Sequence, residues 1–372
     1  MSDSFAVWSG LTTVGIWTFL ALFRRSFWRL PNRLADADHA PARAVAAVIP
    51  ARDEEALIAG TVRSLKAQTA PVDVIVADDE SSDRTGASAA AAGARVVRAG
   101  PRPPEWKGKL WAVSEGIRAI GGAPEFLLLT DADIEYRSPG VVAALEAKAR
   151  EGFDLVSVMV RLRCESWPEK FLIPAFVFFF FKLYPPGTPA AAGGCLLIRR
   201  EMLDRIGGIA AIRNALIDDC ALAAAVAKAG GRVWLGISHP EVRSVREYGK
   251  AAEIRAMISR SAFAQLRHSV LLLAGTVLGM FLTYIAPALL LFSGRGVPAI
   301  LGGFAWLLSA ALYWPSVREY RAPWWTVFCL PGIAVFYLIA TLESAARYWT
   351  GRGGMWKGRV QDRKTPAPIG PD

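Results

Sequence analysis

The 372-residue chain has few of the residues that build disulfide frameworks or histidine metal centres. Its four cysteines, Cys164, Cys195, Cys220 and Cys329, lie far apart and form no CxxC pair. That excludes a disulfide scaffold and a zinc ribbon, and makes a reducing compartment the default. The three histidines are equally scattered, so no histidine-based metal site is visible. Neither a Walker-type phosphate loop nor a GxGxxG turn is present, which removes support for ATPase and dinucleotide-binding readings.

Apolar residues are abundant instead, at 53% of the chain with a mean hydropathy of +0.29. Such a balance demands a search for membrane segments. Phe5–Phe23 is nineteen residues without a charge, and Arg24, Arg25 and Arg29 follow at once. That length matches the ~20 residues that cross a bilayer core. Basic residues after the run, with no small-residue cleavage site, read as an uncleaved anchor (residues 1–28) rather than a signal peptide. The positive-inside rule puts its C-terminal end in the cytoplasm. Three more apolar spans, roughly 269–292, 297–315 and 324–342, form a C-terminal cluster (269–345), followed by a basic tail (346–372). The tail creates a conflict. Three crossings after a cytoplasmic middle would place it outside, yet Arg347, Arg352, Lys357, Arg359, Arg363 and Lys364 favour the inside. A re-entrant hairpin at Pro331-Gly332, or a span that does not cross, would resolve it.

Net charge is +10, from 43 basic against 33 acidic residues. The basic residues are dispersed and concentrate beside the apolar spans. Anionic lipid explains them better than nucleic acid.

The middle of the chain alternates strand-like and helix-like stretches. Strands are expected at Val45–Ile49, Val72–Ala77, Arg95–Arg98 and Phe126–Thr130, and helices at Glu54–Gln68, Asp83–Ala92 and Lys109–Ile120. That alternation predicts a doubly wound, mostly parallel sheet, with ligands beyond the carboxyl ends of the strands. Several chemistry-bearing stretches fall there. Thr130-Asp131-Ala132-Asp133 ends a buried strand with two carboxylates. In an extended segment they would share a face and repel unless a cation sat between them. An oxygen-only pair suits Mg²⁺ or Mn²⁺. Pro50-Ala51-Arg52-Asp53-Glu54 ends the first strand and Asp78-Asp79-Glu80-Ser81-Ser82-Asp83-Arg84-Thr85 the second. Asp and Ser are natural turn and cap residues, but adjacent buried acids need donors such as a base N–H or ribose hydroxyls. Trp106-Lys107-Gly108-Lys109 sets lysines before a helix, where a diphosphate can be met. Ile217-Asp218-Asp219-Cys220 places two acids where a helix dipole favours them.

Taken in order, PARDE, DDESSDRT, WKGK, TDAD and IDDCAL resemble a family 2 glycosyltransferase with the GT-A fold. The second stretch matches that family's D-D-x-S-x-D-x-T pattern at every fixed position, and Asp218 stands where its E-D-x-x-L helix usually has Glu. The likeness covers about residues 44–268. The anchor, the C-terminal cluster and Ser261–Arg267 further resemble the hopene-associated glycosyltransferases of bacteria. The resemblance implies a Rossmann-like, mostly parallel α/β domain (44–268) facing the cytoplasm from a multi-pass inner-membrane protein. It implies that Pro50, Arg52, Asp53, Glu54, Asp78, Asp79, Lys109 and Asp131 hold the nucleotide, usually uridine. Asp131 and Asp133 would hold Mg²⁺ or Mn²⁺ on the donor's diphosphate, and Asp219 would be the general base of a single inverting displacement. Lys107, Asp218 and Arg260 are further candidates for diphosphate or acceptor contacts. The Q/R-x-x-R-W motif of many membrane relatives is missing. Its nearest counterpart, Met257–Ser261, lacks both the leading residue and the Trp, so Arg260 is equally a solvated helix arginine.

Two stretches bear on the acceptor. Phe171–Phe181 is eleven apolar residues, too short to cross, and suits an interfacial or lipid-lining helix, or a core segment. Tyr248–His268 mixes Lys250, Arg255, Arg260 and Arg267 with apolar positions, as an interfacial helix does. Gly193-Gly194-Cys195 precedes a strand-like run, where glycines allow close backbone approach and Cys195 reads as a small buried hydrophobe. The leading expectation is sugar transfer from a nucleotide-sugar to a lipid. A transporter is disfavoured because the spans hold few charges. A non-catalytic sugar-nucleotide scaffold is disfavoured by intact Asp131, Asp133 and Asp219. A nucleotidyltransferase would release pyrophosphate instead of a nucleoside diphosphate.

Overall fold

A computed structural model describes residues 3–35, 45–238 and 241–362. Arg363 and Lys364 of the basic tail lie outside the described residues. The chain divides into two compact units. One holds residues 31–163 and 188–247; the other holds 1–30, 164–187 and 248–372.

The first unit is built on a seven-stranded sheet. Its strands are β1 (Val45–Ala51), β2 (Val72–Asp78), β3 (Arg95–Arg98), β4 (Phe126–Thr130), β6 (Leu155–Met159), β7 (Cys195–Arg199) and β8 (Val233–Ile237), in the order β3-β2-β1-β4-β7-β6-β8. A two-stranded antiparallel sheet joins β5 (Ile134–Tyr136) to β9 (Val242–Ser244). All neighbours in the large sheet are parallel except β7, which runs antiparallel to β4 and β6. The period-2 alternation of a strand sorts the core onto two faces. Val45, Ala47 and Ile49 of β1 pack with Phe126 and Leu128 of β4 beneath the helices Ile58–Lys66 and Val141–Arg150. Ala46 and Val48 pack with Leu127 and Leu129 beneath Gly108–Arg118 and Asp218–Lys228. Each fully buried Leu or Ile contributes roughly 1.5–3 kcal/mol, and this double-sided burial is why the strands read as unbroken apolar runs.

The expected strands Arg95–Arg98 and Phe126–Thr130 are those observed. The first helix differs, beginning at Ile58 rather than Glu54. The amides of Asp53, Glu54 and Glu55, which a helix would leave at its N-terminus, instead donate to Ser81 Oγ (3.0 Å), Thr85 Oγ1 (2.7 Å) and Asp83 Oδ2 (3.2 Å). Asp53 adopts a left-handed φ of 49° to make this turn.

The second unit is helical and apolar. Among the described residues four helices are long and apolar enough to cross a membrane: Asp3–Phe23, Val270–Leu291, Gly296–Glu319 and Trp324–Trp349. Backbones approach closely: a Cβ on Gly10 would sit 2.8 Å from Leu301 Cβ, and one on Gly302 would sit 2.5 Å from the Pro287 carbonyl. Small residues at helix crossings are the packing device of apolar bundles. Large side chains such as Leu271, Phe292 and Trp8 are exposed. Val270–Leu291 contains a π-helical turn at Phe281–Ile285. No hairpin forms at Pro331-Gly332. Pro331 lies in the first turn of the α-helix Leu330–Trp349, where its missing N–H leaves no bond unmade. The Phe171–Phe181 run sits inside the helix Trp167–Leu183, started by a capping box between Ser166 and Glu169. Tyr248–His268 is not one helix: it breaks between Ala251–Ser259 and Ala262–Gln265.

Candidate functional site

The carboxyl ends of β1, β2 and β4 meet at one edge of the sheet. Because β7 is antiparallel, it starts at that same edge, with Thr130 paired to Cys195. Gly193 and Gly194 are thereby set beside Asp131. Gly194 adopts φ +101° and its carbonyl accepts from Thr130 Oγ1 at 2.6 Å. A Cβ on Gly193 would lie 3.2 Å from Asp219 Oδ2 and 3.9 Å from Asp131 Oδ2, so a glycine there keeps the space between these acids open.

Two helix N-termini complete this corner. Lys107 precedes the helix Gly108–Arg118, and its backbone N–H donates to the Arg213 carbonyl at 2.8 Å. Lys109, in the first turn, reaches Asp131 Oδ1 at 2.9 Å and Asp218 Oδ2 at 3.0 Å. Asp218 and Asp219 open the helix Asp218–Lys228. Asp219 accepts from Gly193 N–H (2.5 Å) and Cys220 N–H (2.7 Å). Lys109, Asp131, Asp218, Asp219 and Pro50 line one small cavity of about 30 Å³, room for a water-sized occupant. Burial first, and the Asp218 charge second, push Asp219 up to about 6, against the lowering effect of Lys109. Burial alone would lower Lys109, but Asp131 and Asp218 outweigh it and hold the ammonium above its usual range. A carboxylate of pKa near 6 beside a fixed cation is suited to accept a proton at neutral pH.

The segment carrying Asp133 is not extended: the chain turns at Ala132-Asp133, while the Asp131 charge still reaches Asp133 and adds to the upward shift that burial gives its pKa. Ala132 is buried in the core and its carbonyl accepts from Thr61 Oγ1 at 2.8 Å. Asp133 Oδ2 accepts from Ser244 Oγ (2.6 Å) and Arg246 Nε (3.2 Å), and Arg246 Nη2 continues to Glu54 Oε1 (2.6 Å). Burial raises the Asp133 pKa despite Arg246. Among the described residues no three His, Cys, Asp or Glu side chains are grouped to hold a metal by themselves. An oxygen-only site shared with a ligand's phosphates does fit Asp131, whose half-exposed carboxylate faces the cavity. Mg²⁺ and Mn²⁺ commonly bind through one or two carboxylates plus phosphate oxygens.

The DDESSDRT loop is largely a self-locking turn. Ser81, Asp83 and Thr85 receive the three amides of residues 53–55, and Asp78 Oδ1 accepts from Ser81 N–H at 2.9 Å. Asp53 Oδ1 accepts from both Ser82 N–H (2.8 Å) and Ser82 Oγ (3.0 Å). Asp79 is buried, with Arg52 Nη1 at 3.7 Å from its carboxylate and 2.6 Å from its carbonyl. Beside this loop lies a second cavity of about 550 Å³, lined by Glu80, Ser81, Arg98, Ala99, Gly100 and Pro101. Two further residues at these clusters, Arg98 and Arg246, lie outside the chemistry-bearing stretches. Arg98 ends β3, so the strand-end rule that found Asp78 also reaches it, whereas no local signal marks Arg246. Arg260 is an exposed residue capping Ala251–Ser259 in the helical unit.

Two family descriptions match overlapping parts of the chain: glycosyl transferase family 2 over residues 46–207, and glycosyl transferase family 21 over residues 181–352. Over residues 46–207 the chain is similar to the family 2 glycosyltransferases. The match agrees with the motif order and the sheet order read above. Curated relatives include 4,4'-diaponeurosporenoate glycosyltransferases. That of Staphylococcus aureus (strain MRSA252) is 35% identical over 104 residues, 28% of this chain and 27% of the relative. That of Staphylococcus haemolyticus is 32% identical over 114 residues, 30% of each. The chain thus spans less than a third of these relatives' length. Among solved structures, mannosyltransferase PcManGT from Pyrobaculum calidifontis, in complex with GDP-Man and Mn²⁺, shares the fold. It has a TM-score of 0.52 and 16% identity, over 91% of this chain and 98% of that one.

Proposed function

We propose that the chain moves a sugar from a nucleotide-sugar, of the uridine class, to a lipid acceptor at the bacterial inner membrane, inverting the anomeric centre in one displacement. The observation that carries this reading is the placement of Lys109, Asp131, Asp218 and Asp219 around one cavity at the carboxyl edge of the sheet. Asp219 takes the proton from the acceptor hydroxyl as its oxygen bonds the anomeric carbon and the bond to the diphosphate breaks. Lys109, with Lys107 on the same turn, stabilises the charge left on the diphosphate. The nucleoside lies in the larger cavity by Arg98 and Gly100, whose wall is the loop held by Arg52, Asp53, Asp78 and Asp79. A divalent ion held by Asp131 would supply Lewis-acid stabilisation of the leaving diphosphate. Asp133 accepts from Ser244 and Arg246, and Arg246 ties it to Glu54.

The acceptor side rests on the four apolar helices and on the relatives' named acceptor, 4,4'-diaponeurosporenoate; a hopanoid-related lipid belongs to the same apolar class. Arg24, Arg25 and Arg29 after the first helix support a sheet domain on the cytoplasmic side. The test incubates the detergent-solubilised full chain with a panel of nucleotide-sugars and a bacterial lipid extract, with and without chelator. A lipid heavier by one sugar, with release of nucleoside diphosphate that chelation abolishes, supports the reading. Pyrophosphate release, or donor binding without a glycosylated lipid from any donor, overturns it.

A further inference from the structure

The helical unit contains a cation whose position the fold alone does not explain. Lys182 ends the helix Trp167–Leu183. A lysine in a last turn suits the helix dipole, but an exposed ammonium would serve that purpose. Here Nζ turns inward and donates to the hydroxyl of Tyr284 at 2.6 Å. It also lies over the Tyr284 ring at 4.7 Å and the Phe179 ring at 5.4 Å. Tyr284 is buried and belongs to the π-helical turn Phe281–Ile285. That turn is pinned by Trp17, whose Nε1 donates to the Thr283 carbonyl at 2.7 Å. A second cation stands beside the first. Arg24 donates through Nε and Nη2 to the carbonyls of Lys182 and Leu183, at 3.1 to 3.3 Å. Among the described residues no carboxylate pairs with either. The like charge costs something: burial first and Arg24 second pull Lys182 down to about 8. Two N–H groups of Lys182 and the Nη1 group of Arg24 remain for a ligand.

We infer that Lys182, Arg24 and the Tyr284 hydroxyl receive the acidic headgroup, phosphate or carboxylate, of a membrane lipid. An ionisable group among apolar helices marks a functional site by default. An anion between two cations would relieve their repulsion and take charge-assisted hydrogen bonds from both. The inference rests on the membrane reading given above.

The experiment reconstitutes the full chain in phosphatidylcholine vesicles containing a trace of spin-labelled phosphatidic acid or spin-labelled phosphatidylcholine, and measures the fraction of each label immobilised by the protein. The wild type should prefer the acidic label. Lys182→Met should lower that preference about tenfold, as expected for losing a charge-assisted bond, and Arg24→Gln should lower it less. Lys182→Arg, which keeps the charge and the apolar stem, should retain it and guards against misfolding of the methionine variant. Arg267→Gln removes one charge elsewhere on the same unit and should leave the preference intact. Equal losses in Lys182→Met and Arg267→Gln would reduce the effect to general surface charge and overturn the inference. Displacement of the label by inorganic phosphate would assign the site to a free anion and overturn the lipid assignment. Because the readout needs no sugar transfer, its failure leaves the proposed reaction standing, and failure of the reaction leaves the lipid site standing.

Discussion

Asp131, Asp218 and Asp219 gather around one lysine, while Asp133 and Glu54 share one arginine. The chemistry of the parts is the same, yet the two clusters differ in access. The side chains of Asp131 and Asp218 are 36% and 26% exposed, against 11% and 8% for Asp133 and Glu54. The first cluster lines a cavity, and Lys109 bridges two of its three acids. The second is closed: Ser244 and Arg246 together occupy Asp133 Oδ2, and Arg246 spans to Glu54. Two acids only two residues apart in one motif thus acquire different roles from their partners. On the proposed function, the open cluster is the one that would change its bonding when a donor arrives, and the closed one would stay as it is.

The comparison is broken most sharply at Asp219. Asp219→Asn keeps the shape but cannot take a proton, so transfer should fall by roughly 10²–10⁴-fold with donor affinity near normal in a titration of donor binding. Lys109→Met should act next, on binding. Losing charge-assisted bonds of about 1.5–3 kcal/mol weakens donor affinity roughly ten- to hundredfold, and calorimetry would read it. An unchanged donor affinity would show that Lys109 serves only to neutralise the acids. In the closed cluster the effect should move from function to stability. Arg246→Met removes the cation that joins Asp133 to Glu54 and should cost about 2 kcal/mol, seen as a lowered thermal midpoint while turnover per folded molecule is largely kept. A variant that is fully stable but inactive would instead place Arg246 in the open cluster. The smallest change is Ser81→Ala, which removes the acceptor for the Asp53 N–H and should cost about 1 kcal/mol with donor affinity slightly reduced.

The sequence made the sheet legible because its alternation is double-sided: Val45, Ala47 and Ile49 face one layer of helices, Ala46 and Val48 the other. Lys109 and Asp219 were legible as first-turn residues of helices that begin within chemistry-bearing stretches. Local propensity could not give the late start at Ile58, because the amides that decide it reach residues 28 to 31 positions away. Nor could it give the partners of Asp133, which depend on a turn at a buried alanine and on an arginine 113 residues further on. The pairing of Lys182 with Tyr284 spans 102 residues. Such contacts are set by tertiary packing, and no spacing rule carries them.

The account turns on Asp219 being the proton acceptor of the open cluster. Its pKa lies near 6 because burial and Asp218 raise it, so the carboxylate fraction grows as pH rises through that value. A group raised in this way favours the fold at low pH and opposes it above its folded pKa, so activity and stability should respond in opposite directions. The direct measurement is the transfer rate across pH 4.5 to 7.5, about one and a half units either side of 6, for wild type and Asp219→Asn, each corrected for the folded fraction. The account predicts a rate that rises through pH ~6 in the wild type, and a low rate without that rise in the variant. An Asp219→Asn enzyme that retains both the rate and the rise would contradict it.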